Sequence, residues 1–351
     1  MTVKSPFASS RTDLPDSLAQ IARKVGVSTA TISRVLNNSP RVKPHTRHKV
    51  LKAINETRFA IRKSPATNTL GISFFDFHSN ILNNLFCRDC LAGIAESVHQ
   101  HGLNLHVIDL LSEKQRGETY PQMLHRLGLA GIIHVAFFQS ALEAILEIAE
   151  TGFPQFILCG RLNHPRIHWL DSENVASTQK AVKYLVNLGH QRIAAMTASR
   201  NSPDQNERFE GYLSAMTEAG IEPDKELIVE RIDITLDAGM SATLELLTKS
   251  NPPTAVFYGN GELAIGGIKA CRKLGLRIPE DVSIVAFADS RLPEFMVPAL
   301  TYIHQPVFEM GRRAGQCLAG QIKHQETRIL QEVIIPDFFI NESTGPCGKN
   351  L

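Results

Sequence analysis

Small hydroxyl and amide side chains cluster with one arginine in the segment VGVSTATISRVLNNSP, residues 25–40. Such groups donate hydrogen bonds to phosphate oxygens, and an arginine fork can also bond O6 and N7 of a guanine. The chemistry these residues favour is recognition of a polyanion. The candidate phosphate contacts are Ser28, Thr31, Ser33 and Asn37, and Arg34 is the candidate base contact. Thr29 and Ala30 are expected on the exposed first turn, where small side chains allow close approach.

The charge around this segment is strongly uneven. Residues 17–62 contain ten Lys and Arg residues and one acidic residue, Glu56, although the net charge of the chain is only +2. A basic module on an acidic body favours contact with a polyanion at one end of the protein. Charge alone leaves a second interpretation open, a basic surface that only contacts solvent.

Other candidate sites, for a metal, a dinucleotide or catalysis, have weaker support in the sequence. Cys87 and Cys90 have the spacing of a zinc or redox pair, but no second pair accompanies them, and six cysteines without a secretory signal suit free thiols. The segment GNGELAIGG, residues 259–267, lacks the dinucleotide-binding spacing. We find no catalytic triad or paired-carboxylate pattern. We therefore expect no enzyme activity, no metal and no cofactor.

Three short helices would position the basic residues. The first would end at Gly26, and the second would begin after a cap at Ser28. A third would begin near His45. The apolar residues expected to join them into one core are Leu18, Ile21, Ala22, Val25, Ile32, Val35, Leu36, Val50, Leu51 and Ile54. Helix, tight turn and helix over about twenty residues is the helix-turn-helix arrangement, whose second helix enters the DNA major groove.

The rest of the chain has a different hydrophobic pattern. From Thr69 onward, short apolar runs alternate with amphipathic stretches of helical length. This alternation predicts parallel sheets covered by helices, and about eight strands suit two smaller sheets better than one. Residues 161–171 are expected to cross between them. The N-terminus has no apolar signal region, and no run is long enough to span a membrane, so we expect a cytoplasmic protein.

Residues 17–59 resemble the DNA-binding headpiece of the LacI/GalR family of bacterial transcription regulators, most specifically in GVSTATISRVLN. Later segments are also similar to that family in order and spacing, including PPTAVFYGNGELAIGG and PALTYIHQPVFEMGRRA. The resemblance implies a periplasmic-binding-protein-like core of two doubly wound subdomains. It also implies a homodimer, possibly a tetramer, that binds a pseudo-palindromic DNA operator, and a small-molecule effector in the cleft between the subdomains. By the same resemblance, Thr29, Ala30 and Arg34 match the base-reading positions of the second helix.

The expected fold class is an all-α helix-turn-helix headpiece followed by this α/β core. The headpiece is assigned to residues 17–62, after an N-terminal extension at 1–16 and before a shortened linker at 63–68. The core is assigned to residues 69–345. Its N-subdomain is expected at about 69–160 and 300–320, and its C-subdomain at about 161–299 and 321–345.

The resemblance also assigns candidate effector contacts. Arg208 and Asn260 match effector-contacting positions, whereas Ala288 stands where the family usually has a hydroxyl-binding Asp, Gly261 replaces a second Asp, and Ile234 often corresponds to an aromatic residue. A sugar or sugar derivative is the expected effector. A degenerate pocket, or a solute-binding protein without a regulatory role, remains an alternative. The full candidate set is Phe75, Asp76, Arg208, Ile234, Asn260 and Asp289.

The linker departs most from the family. Only AIRKSPATNT separates Phe59 from Leu70, and this segment lacks the usual hinge helix whose leucine enters the DNA minor groove. We therefore hypothesise that this protein binds DNA without such a wedge.

Overall fold

The structure is a computed structural model, and it describes most of the chain. The described residues are 18–36, 42–55, 68–74, 84–136, 139–289, 292–324 and 328–348. The linker and its missing hinge segment, residues 56–67, lie outside this set.

Three helices precede the body: α1 at Leu18–Val25, α2 at Thr29–Leu36 and α3 at Pro44–Asn55. Their apolar sides meet in one small cluster in which Ile21, Ile32 and Val50 are fully buried. Gly26 joins α1 to α2 with φ of 74°, a conformation that a side chain would strain. The expected helix-turn-helix arrangement is thus present.

The body alternates strands and helices from Thr69 to Phe339. Its helices are α4 Leu85–Gln100, α5 Tyr120–Arg126, α6 Leu142–Glu150, α7 Val175–Asn187, α8 Pro203–Glu218, α9 Leu236–Leu247, α10 Gly261–Leu274 and α11 Val307–His324. Its strands are β1 Thr69–Phe74, β2 Asn104–Ile108, β3 Gly131–Val135, β4 Gln155–Leu158, β5 His168–Ser172, β6 Ile193–Ala198, β7 Ile228–Arg231, β8 Ala255–Tyr258, β9 Ser283–Ala288, β10 Thr301–His304, β11 Gln331–Ile334 and β12 Asp337–Phe339. In the described part of the chain, no helix is both long and apolar enough to cross a membrane.

The strands form two six-stranded sheets. The first has the order β11-β5-β4-β3-β1-β2 and is parallel throughout. The second has the order β12-β10-β9-β8-β6-β7, and only β12 is antiparallel to its neighbour. All residues of β3 and β9 are buried, as expected where helices cover both faces of a parallel sheet. The predicted fold class is confirmed.

The chain passes between the two halves three times: from β5 to α7, from β10 to α11, and from β11 to β12. The predicted subdomain boundaries need correction. Residues 161–171 do not cross between the sheets, because they lead into β5, which pairs with β4 and β11. Residues 301–304 belong to the second sheet as β10, and 331–334 to the first as β11. Each half is therefore completed by strands that lie far away in sequence.

This topology positions the cleft residues. Neighbouring parallel strands end at the same sheet edge, so the residues that follow β8 and β9 come together. These residues are Asn260 and Asp289. On the opposite half, α4 is fixed against α11 at Gly93, where a Cβ atom would lie only 1.9 Å from the carbonyl oxygen of Phe308. The N-terminus of α4 consequently has a defined position at the cleft.

Candidate nucleic-acid interface and ligand cleft

Helix α2 has one buried side and one polar side. Ile32 and Val35 anchor it, with 0% and 3% of their surface exposed. Its first turn is capped as predicted, because the Ser28 hydroxyl accepts a hydrogen bond of 3.1 Å from the Thr31 backbone N–H. The exposed residues are Ser28, Thr29, Ala30, Ser33 and Arg34, and Thr31 is partly exposed. These side chains are small except for Arg34, so the polar side is narrow enough to approach a groove closely.

The predicted DNA contacts are thus largely brought onto one surface. Thr31 is the least available of them, since its hydroxyl lies 2.9 Å from that of Ser28 within the cap. Asn37 lies outside the described residues. No acidic residue occurs in the sequence from Ser17 to Asn55, so this part of the chain carries a net positive charge. The surface can attract a polyanion.

Arg208, on α8, occupies the junction of the two halves and is only 2% exposed. Its Nε donates to Asn174 Oδ1 at 3.1 Å, its Nη1 to the Gly259 carbonyl at 2.7 Å, and its Nη2 to Gln305 Oε1 at 2.9 Å. Asn174 and Gln305 lie on two of the three connections between the halves. Arg208 therefore holds these connections together in addition to standing at the cleft.

Asn260 caps helix α10: its side-chain oxygen accepts from the Glu262 backbone N–H at 2.8 Å. Glu262 is the second residue of α10, and its side chain reaches the other half of the body. There, Glu262 Oε1 accepts from the backbone N–H of Leu85, the first residue of α4, at 2.8 Å. Helix N-termini favour a negative charge at this place. Glu262 was absent from the predicted site, because its partner lies 177 positions away in sequence.

Asp289 follows β9 at the same cleft. Removal from water raises the pKa of its carboxyl to about 7, an effect that the nearby Arg208 guanidinium opposes and that Glu262 reinforces by repulsion. Burial also raises the pKa of Glu262, while the Leu85 N–H and the charge of Arg88 lower it. Two carboxyl groups at one cleft thus titrate nearer to neutrality than exposed ones do.

The cysteines near the cleft do not resemble a metal site. Cys87 and Cys90 are buried on α4, and burial raises the pKa of both thiols. A metal binds the thiolate, which such surroundings disfavour. Among the described residues, no group of three or more His, Cys, Asp or Glu side chains has a geometry that could hold a metal.

The remaining predicted effector residues are placed in part. Ile234 lies between β7 and α9 and packs against the buried cluster that contains Leu263 and Ala288. Phe75 and Asp76 lie outside the described residues. Arg208, Asn260 and Asp289 do meet at one cleft, and their role as effector contacts stays a prediction.

Comparison with known proteins agrees with this arrangement. The family described as "Bacterial regulatory proteins, lacI family" matches residues 17–60, and the "Periplasmic binding protein-like domain" matches residues 182–344. The HTH-type transcriptional repressor PurR of Vibrio vulnificus is 30% identical over 320 residues, which cover 88% of this chain and 92% of PurR. The chain belongs to the lacI family of bacterial regulatory proteins.

Other members of the lacI family are similar over nearly the whole length. The probable repressor ExuR of Bacillus subtilis is 29% identical over 335 residues, covering 93% of this chain and 97% of ExuR. The solved structure of the regulator CelR with cellobiose is 26% identical with a TM-score of 0.66, covering 93% of this chain and 99% of CelR. A LacI family regulator from Enterococcus faecium with bound ribose is 27% identical with a TM-score of 0.67, covering 79% of this chain and 99% of that one.

Two departures from the usual lacI-family pattern face each other in the cleft. A Cβ atom on Gly261 would lie 3.2 Å from the Cβ of Ala288. The family resemblance implies an Asp at both positions, and both residues are small and uncharged here. The two substitutions therefore remove two carboxylates from a single place.

Proposed function

We propose that this protein is a cytoplasmic transcription repressor that binds a specific operator and is controlled by a small molecule in its cleft. The observation that carries the proposal is the capped helix α2, whose buried side holds it on the headpiece while its exposed side carries Thr29, Ala30 and Arg34. A slim helix with one arginine suits major-groove recognition.

The operator contact would be made by a homodimer. Two copies related by a two-fold axis present two α2 helices, and such a pair fits the half-sites of a pseudo-palindrome. Thr29, Ala30 and Arg34 would contact base edges, and Ser28, Thr31, Ser33 and Asn37 would contact phosphates. The repressor sense follows the names of the relatives ExuR and PurR.

The effector would lie between the two halves of the body. Arg208, Asn260 and Asp289 converge there, with Phe75, Asp76 and Ile234 as further candidates. Regulators of similar fold hold cellobiose and ribose, so a sugar or sugar derivative suits the site. An effector that binds one arrangement of the halves more tightly than the other would shift the operator affinity.

The proposal is tested by fluorescence anisotropy on DNA fragments taken from upstream of its own gene and of the neighbouring genes. We expect one fragment to bind far more tightly than shuffled DNA, with log K falling steeply as log salt rises, because several phosphates are contacted. Lys225→Ala is the matched control for Arg34→Ala, since Lys225 is an exposed cation on the body. Equal binding of every fragment, or no binding, would contradict the proposal.

A further inference from the structure

Glu262 has a feature that its contact with Leu85 leaves unexplained. The side chain is 8% exposed, and only Oε1 contacts the Leu85 N–H of the opposite half. The second oxygen, Oε2, is buried and has no hydrogen-bond partner among the described residues. A buried polar atom without a partner is unfavourable, so this oxygen is suited to accept a hydrogen bond from a group bound beside it.

The surrounding charges indicate which group. From α4, Arg88 and Asp89 lie 3.6 Å apart and offset each other. From α8, Arg208 and Asp204 also lie 3.6 Å apart, and the three hydrogen bonds of Arg208 are all to oxygens of the protein. Arg88 and Arg208 thus each have a carboxylate partner of their own, and each also lowers the pKa of one cleft carboxyl group, Glu262 and Asp289 respectively.

Two carboxyl groups remain, Glu262 from α10 and Asp289 from the end of β9. Each is partly or largely removed from water, and each raises the pKa of a neighbouring group through its charge, as at the Cys87 thiol. Gly261 and Ala288 supply neither a charge nor a hydrogen bond beside them. Among the described residues, the cleft therefore holds two carboxyl groups that a bound cation would ionise, and one acceptor oxygen without a partner.

We propose that Glu262, together with Asp289, binds the effector and that this effector carries a protonated amine, as an amino sugar does. The inference depends on the proposed function, because it specifies the ligand of the same cleft. Glu262 would supply a carboxylate next to positions 261 and 288, which lack one.

A protonated amine suits this site better than a neutral or an acidic sugar for electrostatic reasons. An ammonium group can donate to Oε2 and is attracted by both carboxylates, and a charge-assisted bond is about twice as strong as a neutral one. A uronate would add a third carboxylate where Arg88 and Arg208 already have carboxylate partners. Amine binding also favours the ionised carboxyl groups, so it should release protons from the protein near neutral pH.

The experiment is a binding panel on the full-length protein at pH 7. Glucosamine, galactosamine and mannosamine are compared with glucose, galactose and mannose and with the corresponding uronates, first by thermal shift and then by calorimetry in two buffers of different ionisation enthalpy. Glu262→Gln is the test variant, since its amide oxygen can still accept from Leu85 N–H while the charge is lost. Glu226→Gln, at an exposed position of the second half, is the control.

We expect at least one amine to bind about tenfold or more tightly than its neutral parent, with proton release, and Glu262→Gln to abolish that preference while Glu226→Gln keeps it. A neutral sugar or a uronate that binds as tightly as the amine, an amine preference that survives Glu262→Gln, or no binding of any amine overturns the inference. Operator binding is measured separately on the same preparations. Its absence would contradict the proposed function, whereas operator binding without amine preference would contradict only the inference.

Discussion

Replacing Arg208 by Ala should destabilise the body of the protein. The substitution removes three hydrogen bonds of 2.7–3.1 Å and the stacking of the guanidinium at 3.8 Å from the centre of the Phe287 ring. It also leaves Asn174 Oδ1 and Gln305 Oε1 without this donor. Breaking a buried charged network of this kind costs about 3–5 kcal/mol. We therefore expect Arg208→Ala to destabilise the connections between the halves, in addition to any loss of effector binding.

The assay is thermal and urea unfolding of the full chain. In domains of about 150–250 residues, each kcal/mol moves Tm by about 2–4 °C, so Arg208→Ala should lower Tm by about 6–20 °C. The Tm of Arg208→Lys should fall between those of the wild type and Arg208→Ala, because lysine keeps the charge but cannot bond all three partners. The control is Arg231→Ala, whose ion pair with Glu245 at 2.9 Å is solvent-exposed and is expected to contribute about 0–1 kcal/mol.

A small effect would refute this reasoning. If Arg208→Ala unfolds within about 2 °C of Arg231→Ala, Arg208 does not stabilise the connections, whatever it does for a ligand. If Tm falls as expected while added effector still releases DNA from the folded variant, Arg208 positions the connections and is dispensable for binding the ligand.

Three further predictions concern the headpiece and the cleft. Arg34→Ala should weaken operator binding by about 1–3 kcal/mol per half-site and relax the preference for one base pair. Competition against single-base variants of the operator measures both effects. A uniform loss of affinity on all DNA would identify a phosphate contact instead. Ile32→Ala should cost the headpiece about 2–5 kcal/mol of unfolding free energy, because Ile32 is fully buried, and loss of helicity below the body's own transition in circular dichroism would reveal it. Asp289→Asn should become progressively more stable than the wild type as pH rises from about 4 to 7. The folded state holds the Asp289 proton up to a pKa of about 7, whereas the unfolded state loses it near 3.8. A difference in the free energy of urea unfolding that does not change with pH would contradict this.

Much of the headpiece was predictable, because its signals are local. Gly26 at a left-handed turn, Ser28 as a cap, and Ile32 and Val35 as buried anchors act within one or two helical turns of themselves. The alternation of strands and helices similarly gave two parallel sheets. The DNA-contact and effector roles of individual residues remain predictions.

The subdomain boundaries were not predictable in the same way. The run before β5 reads equally well as a crossing or as one more strand, and its assignment is decided by pairing with β4 and with β11, about 160 residues further on. Pairing between distant strands depends on which surfaces the rest of the chain buries, and no local pattern contains that information.

The three-helix headpiece, its basic charge and the class of the body follow from local sequence features, because capping, helical periodicity and net charge depend on neighbouring residues. The construction of the cleft depends on the tertiary structure. It joined Arg208 to two connections between the halves, set Gly261 against Ala288, and brought Glu262 to the first residue of α4. Each of these contacts is made between parts of the chain that only folding brings together.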